Sequence, residues 1–234
     1  MTSDKKPRLV VSTGAGISAE SGISTFRDAD GLWENYPVMD VCSADGFARN
    51  PALVHEFYNA RRRQLFEVRP NEAHRILAGL EKNFEVDVIT QNVDDLHERA
   101  GSSHVTHLHG ELMKVRAIDD ESLTWRLTEA AAATTPDTVI DGHRVRPHIV
   151  FFQEAVPMFE PATQIAAQAD IFVIIGTSLV VYPAAALLRY VRPGTPIYYI
   201  DPRPASVPPD VHVIPTTATE GMRILERELL QKYL

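Results

Sequence analysis

A chain of 234 residues, 44% hydrophobic and 23% charged, is long enough to bury its own core and too apolar for a disordered polymer. Its 31 acidic against 23 basic side chains leave a net charge of −8, which argues against a dedicated nucleic-acid binder. A single cysteine, Cys42, excludes an internal disulfide framework, a four-cysteine zinc site and a cysteine-held iron–sulfur cluster, and fits a reducing, cytoplasmic setting.

The first residues carry lysines but no apolar stretch of secretory length, and no run of roughly 18 apolar residues exists, so neither a signal peptide nor a membrane partner is expected. Arg8–Thr13 is short, β-branched and apolar, which predicts a buried strand. It runs into Gly14-Ala15-Gly16-Ile17-Ser18-Ala19, a G-x-G-x-x-A turn whose glycines let a backbone approach a pyrophosphate; a plain tight turn satisfies the same residues. The acidic residue that ends the second strand of a hydride-transferring dinucleotide enzyme is missing. A loop with Phe26, Arg27, Leu32 and Trp33 follows instead, placed to act as a flap. Asp28–Asn50 shows little periodicity and reads as a long loop with short helical pieces.

Asn50-Pro51 opens a helix to about Phe66, with proline at the first helical position, and Asn71 opens another with apolar residues three and four apart. Val86–Thr90 is a second strand, ending in Gln91-Asn92-Val93-Asp94-Asp95. Polar residues at the carboxyl end of a central strand are where open α/β sheets bind ligands. Asn92 and Asp94 alternate toward one side, while Asp94 or Asp95 also reads as the cap of helix Leu96–Ala100, which Gly101 stops. In His104–Gly110 the side chains of His107 and His109 share a strand face. No cysteine or carboxylate cluster completes a metal site there, and His109, followed by glycine at the strand end, suits a general base.

Met113–Val145 interrupts the alternation, with a helix expected over LTWRLTEAAAA (about Leu123–Ala133) and a Thr/Pro/Asp/Gly-rich tail; insertions of this length are lids or second lobes. Arg146–Glu154 reads as a strand, Ile171–Gly176 as a strand into a second small-residue turn, Gly176-Thr177-Ser178, and Pro196–Ile200 as a further strand. Pro183–Val191 reads as a helix, and Ala218–Tyr233 as an amphipathic one. The expected fold is α/β: a Rossmann-like, mostly parallel sheet with helices on both faces, plus a smaller lobe formed by insertions. The chain reads as one catalytic domain, with the core at about 7–27, 77–110 and 148–234 and the lobe at about 28–76 and 111–147.

Taken together, GAGISAESGISTFRD, GLW, TQNVDDLHERAG, HLHG, RPHIVFF, IGTSLVVYPAA and TTATEG resemble the sirtuins, the NAD-dependent protein deacylases, over nearly the whole chain. The resemblance is nearest to the bacterial branch that is similar to desuccinylases, because FYNARRR supplies Tyr58 and Arg61 for an acidic acyl group and Ala29 leaves room for a longer chain. An arginine fork with a neighbouring hydroxyl is chemically suited to a carboxylate. The resemblance implies a consumed NAD held by Gly14, Ala15, Gly16, Ser18, Gly176, Thr177, Ser178, Asp201 and Ala218, with Phe26 and Arg27 in a flap and Gln91, Asn92 and Asp94 around ribose and nicotinamide. It implies catalysis by His109, Asn92 and Asp94, with Val150 and Phe152 against the acyl-lysine peptide. It further implies that the acyl oxygen would displace nicotinamide, that His109 would take a proton from a ribose hydroxyl as this attacks the resulting imidate, and that water would then release free lysine and acyl-ADP-ribose.

Three departures accompany the resemblance. No zinc-binding cysteines lie in Leu112–Val145, so no zinc is expected; Gln153 stands where the family has glycine; and only Asp201 remains of the last ribose contact. A mono-ADP-ribosyltransferase or NAD hydrolase, and a non-catalytic NAD-sensing module, stay open as alternatives.

Overall fold

Leu9, Val10 and Val11 are wholly buried, and because successive strand residues point to opposite faces, they must be covered from both sides. They lie in β1 (Arg8–Thr13) of a computed structural model that describes residues 5–24, 32–33 and 36–233. A short helix α1 (Gly16–Ala19), a hairpin β2–β3 (Leu32–Trp33, Tyr36–Pro37) and helices α2 (Val38–Val41), α3 (Ala44–Arg49), α4 (Pro51–Glu67) and α5 (Glu72–Leu80) come next. Then follow β4 (Glu85–Thr90), α6 (Leu96–Ala100), β5 (Val105–His107), β6 (Gly110–Ala117), β7 (Thr124–Arg126), β8 (Val139–Ile140) and β9 (His143–Ile149). The chain closes with α7 (Phe159–Ala166), β10 (Ile171–Ile175), β11 (Ile197–Ile200), β12 (Val211–Ile214) and α8 (Ala218–Tyr233).

Six strands form one parallel sheet in the order β5-β4-β1-β10-β11-β12. Counted within the sheet this is 3-2-1-4-5-6, the Rossmann order, and it reverses direction between β1 and β10. Leu9 and Val11 face α5 and α8 through Leu77, Leu225 and Leu229, while Val10 faces α7 through Ala162 and Ala166. The α/β reading with helices on both faces therefore holds. A separate antiparallel sheet, β7-β6-β9-β8, packs with α4 around Val54, Phe57, Val115, Leu127 and Val145 and forms a second core. Among the described residues, no helix is long and apolar enough to cross a membrane.

The caps follow the sequence. Asn50 accepts from the Leu53 amide, Asn71 from the Ala73 amide, and Gly101 ends α6 at φ 107°. Other expectations are corrected. The helix at Leu123–Ala133 is instead β7 followed by a 3₁₀ turn at Glu129–Ala131, because Lys114, Val115 and Arg116 pair with Arg126, Trp125 and Thr124. Leu127 and Ala132 are buried whereas Ala130, Ala131 and Ala133 are exposed, so the alanine run has no continuous helix face to bury. The strand expected over Arg146–Glu154 ends at Ile149, the Pro183–Val191 helix is a 3₁₀ segment at Ala184–Tyr190, and β12 is an added strand.

Candidate active site

The switch point puts the two small-residue turns side by side. Gly16 donates its backbone N–H to the Gly176 carbonyl at 2.8 Å, and Gly14 to the Ile175 carbonyl at 2.9 Å. A Cβ on Gly14 would lie 2.7 Å from the Gly176 oxygen, and one on Gly16 2.5 Å from the Gly176 Cα. The glycines are thus required first by the contact between the two turns, a reason beyond any ligand's approach. A cavity of about 840 Å³ opens over them and runs toward the antiparallel lobe.

Of the residues singled out in the sequence, Gly14, Ala15, Gly16, Ser18, Tyr58, Gln91, Asn92, Asp94, His109, Val150, Phe152, Gly176, Thr177, Ser178, Asp201 and Ala218 line this one cavity. Phe26, Arg27 and Ala29 lie outside the described residues. Arg61 is not brought into the cavity wall; it is half-buried on α4, with its guanidinium carbon 5.4 Å from the Phe57 ring centroid.

Asn92 and Asp94 do point the same way, at Ser18. The Asn92 amide donates to the Ser18 hydroxyl at 3.1 Å and to the Gly14 carbonyl at 3.2 Å, and the Ser18 hydroxyl donates to Asp94 Oδ2 at 3.0 Å. Asp94 Oδ1 accepts the amide of Leu96, the first residue of α6, while the cap position itself is Asp95, whose side chain makes no cap bond. Burial pushes the Asp94 carboxyl up to about 6, against the hydrogen bonds from Leu96 and Ser18. Gln91 donates to the Thr177 hydroxyl at 3.2 Å and ties the two halves of the sheet together.

The two histidines are in opposite protonation environments. His107 has Nδ1 2.8 Å from the Asn92 carbonyl and Nε2 2.7 Å from Glu98 Oε1. Burial opposes its charge, but with acceptors at both nitrogens its pKa is raised. Among the described residues, His109 meets an acceptor through Nδ1 alone, 3.1 Å from the Gln91 carbonyl. A carbonyl can only accept, so Nδ1 carries the proton and Nε2 keeps a lone pair. Burial lowers the His109 pKa, so the ring is neutral at pH 7 and Nε2 is a base. Among the described residues, no three His, Cys, Asp or Glu side chains are grouped to hold a metal ion.

Arg146 fixes the segment after β9. It donates to Glu154 Oε1 at 2.6 Å and stacks 4.0 Å over Phe151, while Glu154 Oε2 accepts the Phe151 amide at 2.8 Å. The Val150 amide donates to the His109 carbonyl at 3.0 Å. Phe152 gives its N–H to the Cys42 carbonyl and its carbonyl to the Ala44 amide, so its backbone is already paired within the chain; its side chain is exposed at the cavity rim. Gln153 adopts φ 78° and exchanges two hydrogen bonds with Asp45, at 2.7 and 3.2 Å, which offsets the strain of a non-glycine residue there.

Arg62, to which the sequence motifs assign no role, is a residue that pattern reading missed. It is buried and donates to the carbonyls of Leu112 and Ala132, to Asn59 and to Thr134, binding α4 to the lobe. Burial lowers its pKa only to about 10, so it stays charged. Its position four residues after Tyr58 and three before Leu65, on the buried face of α4, was the available signal.

Comparison with known proteins matches residues 14–183 to the Sir2 family. The chain is 55% identical over 228 residues to an NAD-dependent protein deacylase of Bacteroides thetaiotaomicron, covering 95% of this chain and 97% of that protein. It is 52% identical over 225 residues to an NAD-dependent protein deacylase of Helicobacter pylori, covering 95% and 97%. Among solved structures, a Sir2 homologue in complex with NAD superposes with a TM-score of 0.86 at 38% identity, covering 98% of this chain and 91% of that one. A Sir2 protein with a p53 peptide and NAD superposes at 0.78 with 30% identity, covering 96% and 94%.

Proposed function

The chain belongs to the Sir2 family, and on that premise we propose that it removes acyl groups from protein lysines with consumption of NAD, giving nicotinamide, acyl-ADP-ribose and free lysine. The observation that carries the reading is His109: a neutral imidazole with a free Nε2, in the wall of the cavity that the two glycine turns, Asn92 and Asp94 also line.

The cavity suits a dinucleotide. Backbone of the two turns forms its floor where the sheet order reverses, and small residues leave that backbone approachable. Gly14, Ala15, Gly16, Gly176, Thr177 and Ser178 take the pyrophosphate, the buried Asp201 accepts from a ribose hydroxyl, and Ala218 closes the adenosine end. Asn92 and Asp94, pre-aligned through Ser18, hold the nicotinamide half; Gln91 fixes the Thr177 turn. NAD supplies the electrophilic ribose carbon and a leaving group when bound. His109 Nε2 takes a proton from a hydroxyl presented to it, a contribution of about 10²-fold or more for a placed base.

The acyl-lysine enters between Phe152 on one rim and Val180 on the other, and the Val150 carbonyl accepts its amide proton. We assign an acidic acyl tail such as succinyl, with acetyl also accepted: Tyr58 lies in the cavity wall, and Arg61, one turn along the same helix, would have to turn away from Phe57 to meet the carboxylate. The lobe, held by Arg62 and its apolar core, functions without zinc. Incubation with NAD and peptides carrying acetyl- or succinyl-lysine tests the proposal. Release of nicotinamide and deacylated peptide supports it; release with neither peptide refutes it.

A further inference from the structure

The wall of the cavity on the lobe side contains the chain's one cysteine. Cys42 and Tyr58 both line the cavity, both are almost fully buried, and the Tyr58 hydroxyl donates to Cys42 Sγ at 3.5 Å. Neither residue is free to drift. Tyr58 is wedged between Phe57, at 5.1 Å between ring centroids, and Phe151, at 6.0 Å. Cys42 is held by its own carbonyl, which accepts the Phe152 amide at 2.8 Å, and the next residue but one, Ala44, donates to the Phe152 carbonyl at 3.1 Å. The Gln153–Asp45 exchange extends the same stitch.

Burial pushes the Cys42 thiol up to about 12 and keeps the Tyr58 phenol protonated as well. Both groups therefore carry their protons at neutral pH, and Cys42 is no thiolate nucleophile. Sulfur is a weak acceptor. A buried hydroxyl with no partner is costly, whereas one held by sulfur is satisfied at low strength and easily re-aimed.

We propose that Cys42 is a specificity-determining positioning residue, acting through Tyr58: its sulfur holds the hydroxyl when the acyl tail is short and yields it to the carboxylate of an acidic tail. This rests on the deacylase reading and on Tyr58 contacting the tail. A stronger acceptor at position 42 keeps the hydroxyl and penalises acidic tails; no acceptor leaves the hydroxyl unsatisfied until an acidic tail arrives. The discriminating quantity is the ratio of kcat/KM for succinyl-lysine to that for acetyl-lysine. Cys42→Ser lowers it and Cys42→Ala raises it, each by about fivefold, the factor that one hydrogen bond of ordinary net strength corresponds to. General damage to folding or packing would depress both substrates together.

A second readout needs no turnover. Cys42 is the chain's sole thiol, so the S–H stretching band in the infrared spectrum reports on one atom pair. In the unliganded protein, Tyr58→Phe shifts that band. A band at the same position with and without the Tyr58 hydroxyl overturns the proposal, as does a ratio that moves the same way in both variants. A wild-type protein that deacetylates but leaves succinyl-lysine intact refutes the acidic-tail reading instead, and the S–H band then decides the role of Cys42 by itself.

Discussion

The Ser18 hydroxyl donates to Asp94 Oδ2 at 3.0 Å, joining α1, which follows β1, to the segment after the neighbouring strand β4 at the carboxyl edge of the sheet. Through it, a residue on one side of the cavity fixes a carboxylate on the other, and Asn92 shares the same oxygen. The arrangement costs something, because Asp94 is buried and its pKa is raised from 3.8 to about 6.

The sign of that shift yields a pH prediction. A carboxyl with a raised folded pKa contributes stability that is complete below its unfolded value and is lost as pH rises through the folded one. Asp94 therefore works against the fold between about pH 4 and 6 as it ionises. Asp94→Asn is expected to be more stable relative to wild type at pH 7.5 than at pH 4, by at most on the order of 3 kcal/mol, while turnover falls. Urea titrations at the two pH values measure the difference; a gap that does not change with pH contradicts the assignment.

His109 sets the acid limb of the rate profile. Its pKa lies below the ordinary 6.5, so the base stays available at mildly acidic pH. kcat/KM measured across pH 5 to 8 is expected to fall only below 6.5. His109→Ala is expected to lose about 10²-fold or more. In contrast, His107 is paired with Glu98 and its pKa is raised, so a limb above 6.5 would point to His107 instead.

Arg62 is expected to carry the lobe's stability. Replacing it with Leu leaves the carbonyls of Leu112 and Ala132 and the side chains of Asn59 and Thr134 short of a donor. A loss of about 3 kcal/mol in chemical denaturation follows from leaving several buried neutral acceptors without their charged donor. Chelator treatment of the wild type is expected to leave Tm unchanged, and elemental analysis to find far less than one zinc per chain.

Arg61→Ala tests the acyl assignment. The ratio of succinyl- to acetyl-lysine kcat/KM is expected to fall about tenfold or more, in line with losing a charge-assisted hydrogen bond. An unchanged ratio removes Arg61 from acyl recognition.

The parallel sheet was legible because buried strands such as Ile171–Ile175 are β-branched runs between turn residues, and because Asn50, Asn71 and Gly101 mark helix ends by side-chain chemistry that acts locally. The lobe was less so. Leu123, Trp125 and Leu127 alternate with polar residues at the strand period, but the alanine run beyond them carries a strong helix preference. Pairing with β6, the strand just before it in the chain, decided the outcome, and residue preference alone does not report a pairing. The candidate site was legible as motifs and not as contacts: the sequence brings Asn92 and Asp94 to one side, whereas the role of Ser18 between them depends on two strands meeting. The contacts of Arg62 and Cys42 are not legible in sequence because burial, which changes what a guanidinium or a thiol does, is a tertiary property.

The central claim is tested most directly by following one reaction containing NAD and an acyl-lysine peptide, and quantifying nicotinamide, free-lysine peptide and acyl-ADP-ribose together by mass spectrometry. Equal amounts of all three, with nicotinamide release dependent on the acyl group, are predicted. Nicotinamide released without deacylated peptide, or ADP-ribose attached to protein in its place, would contradict the account.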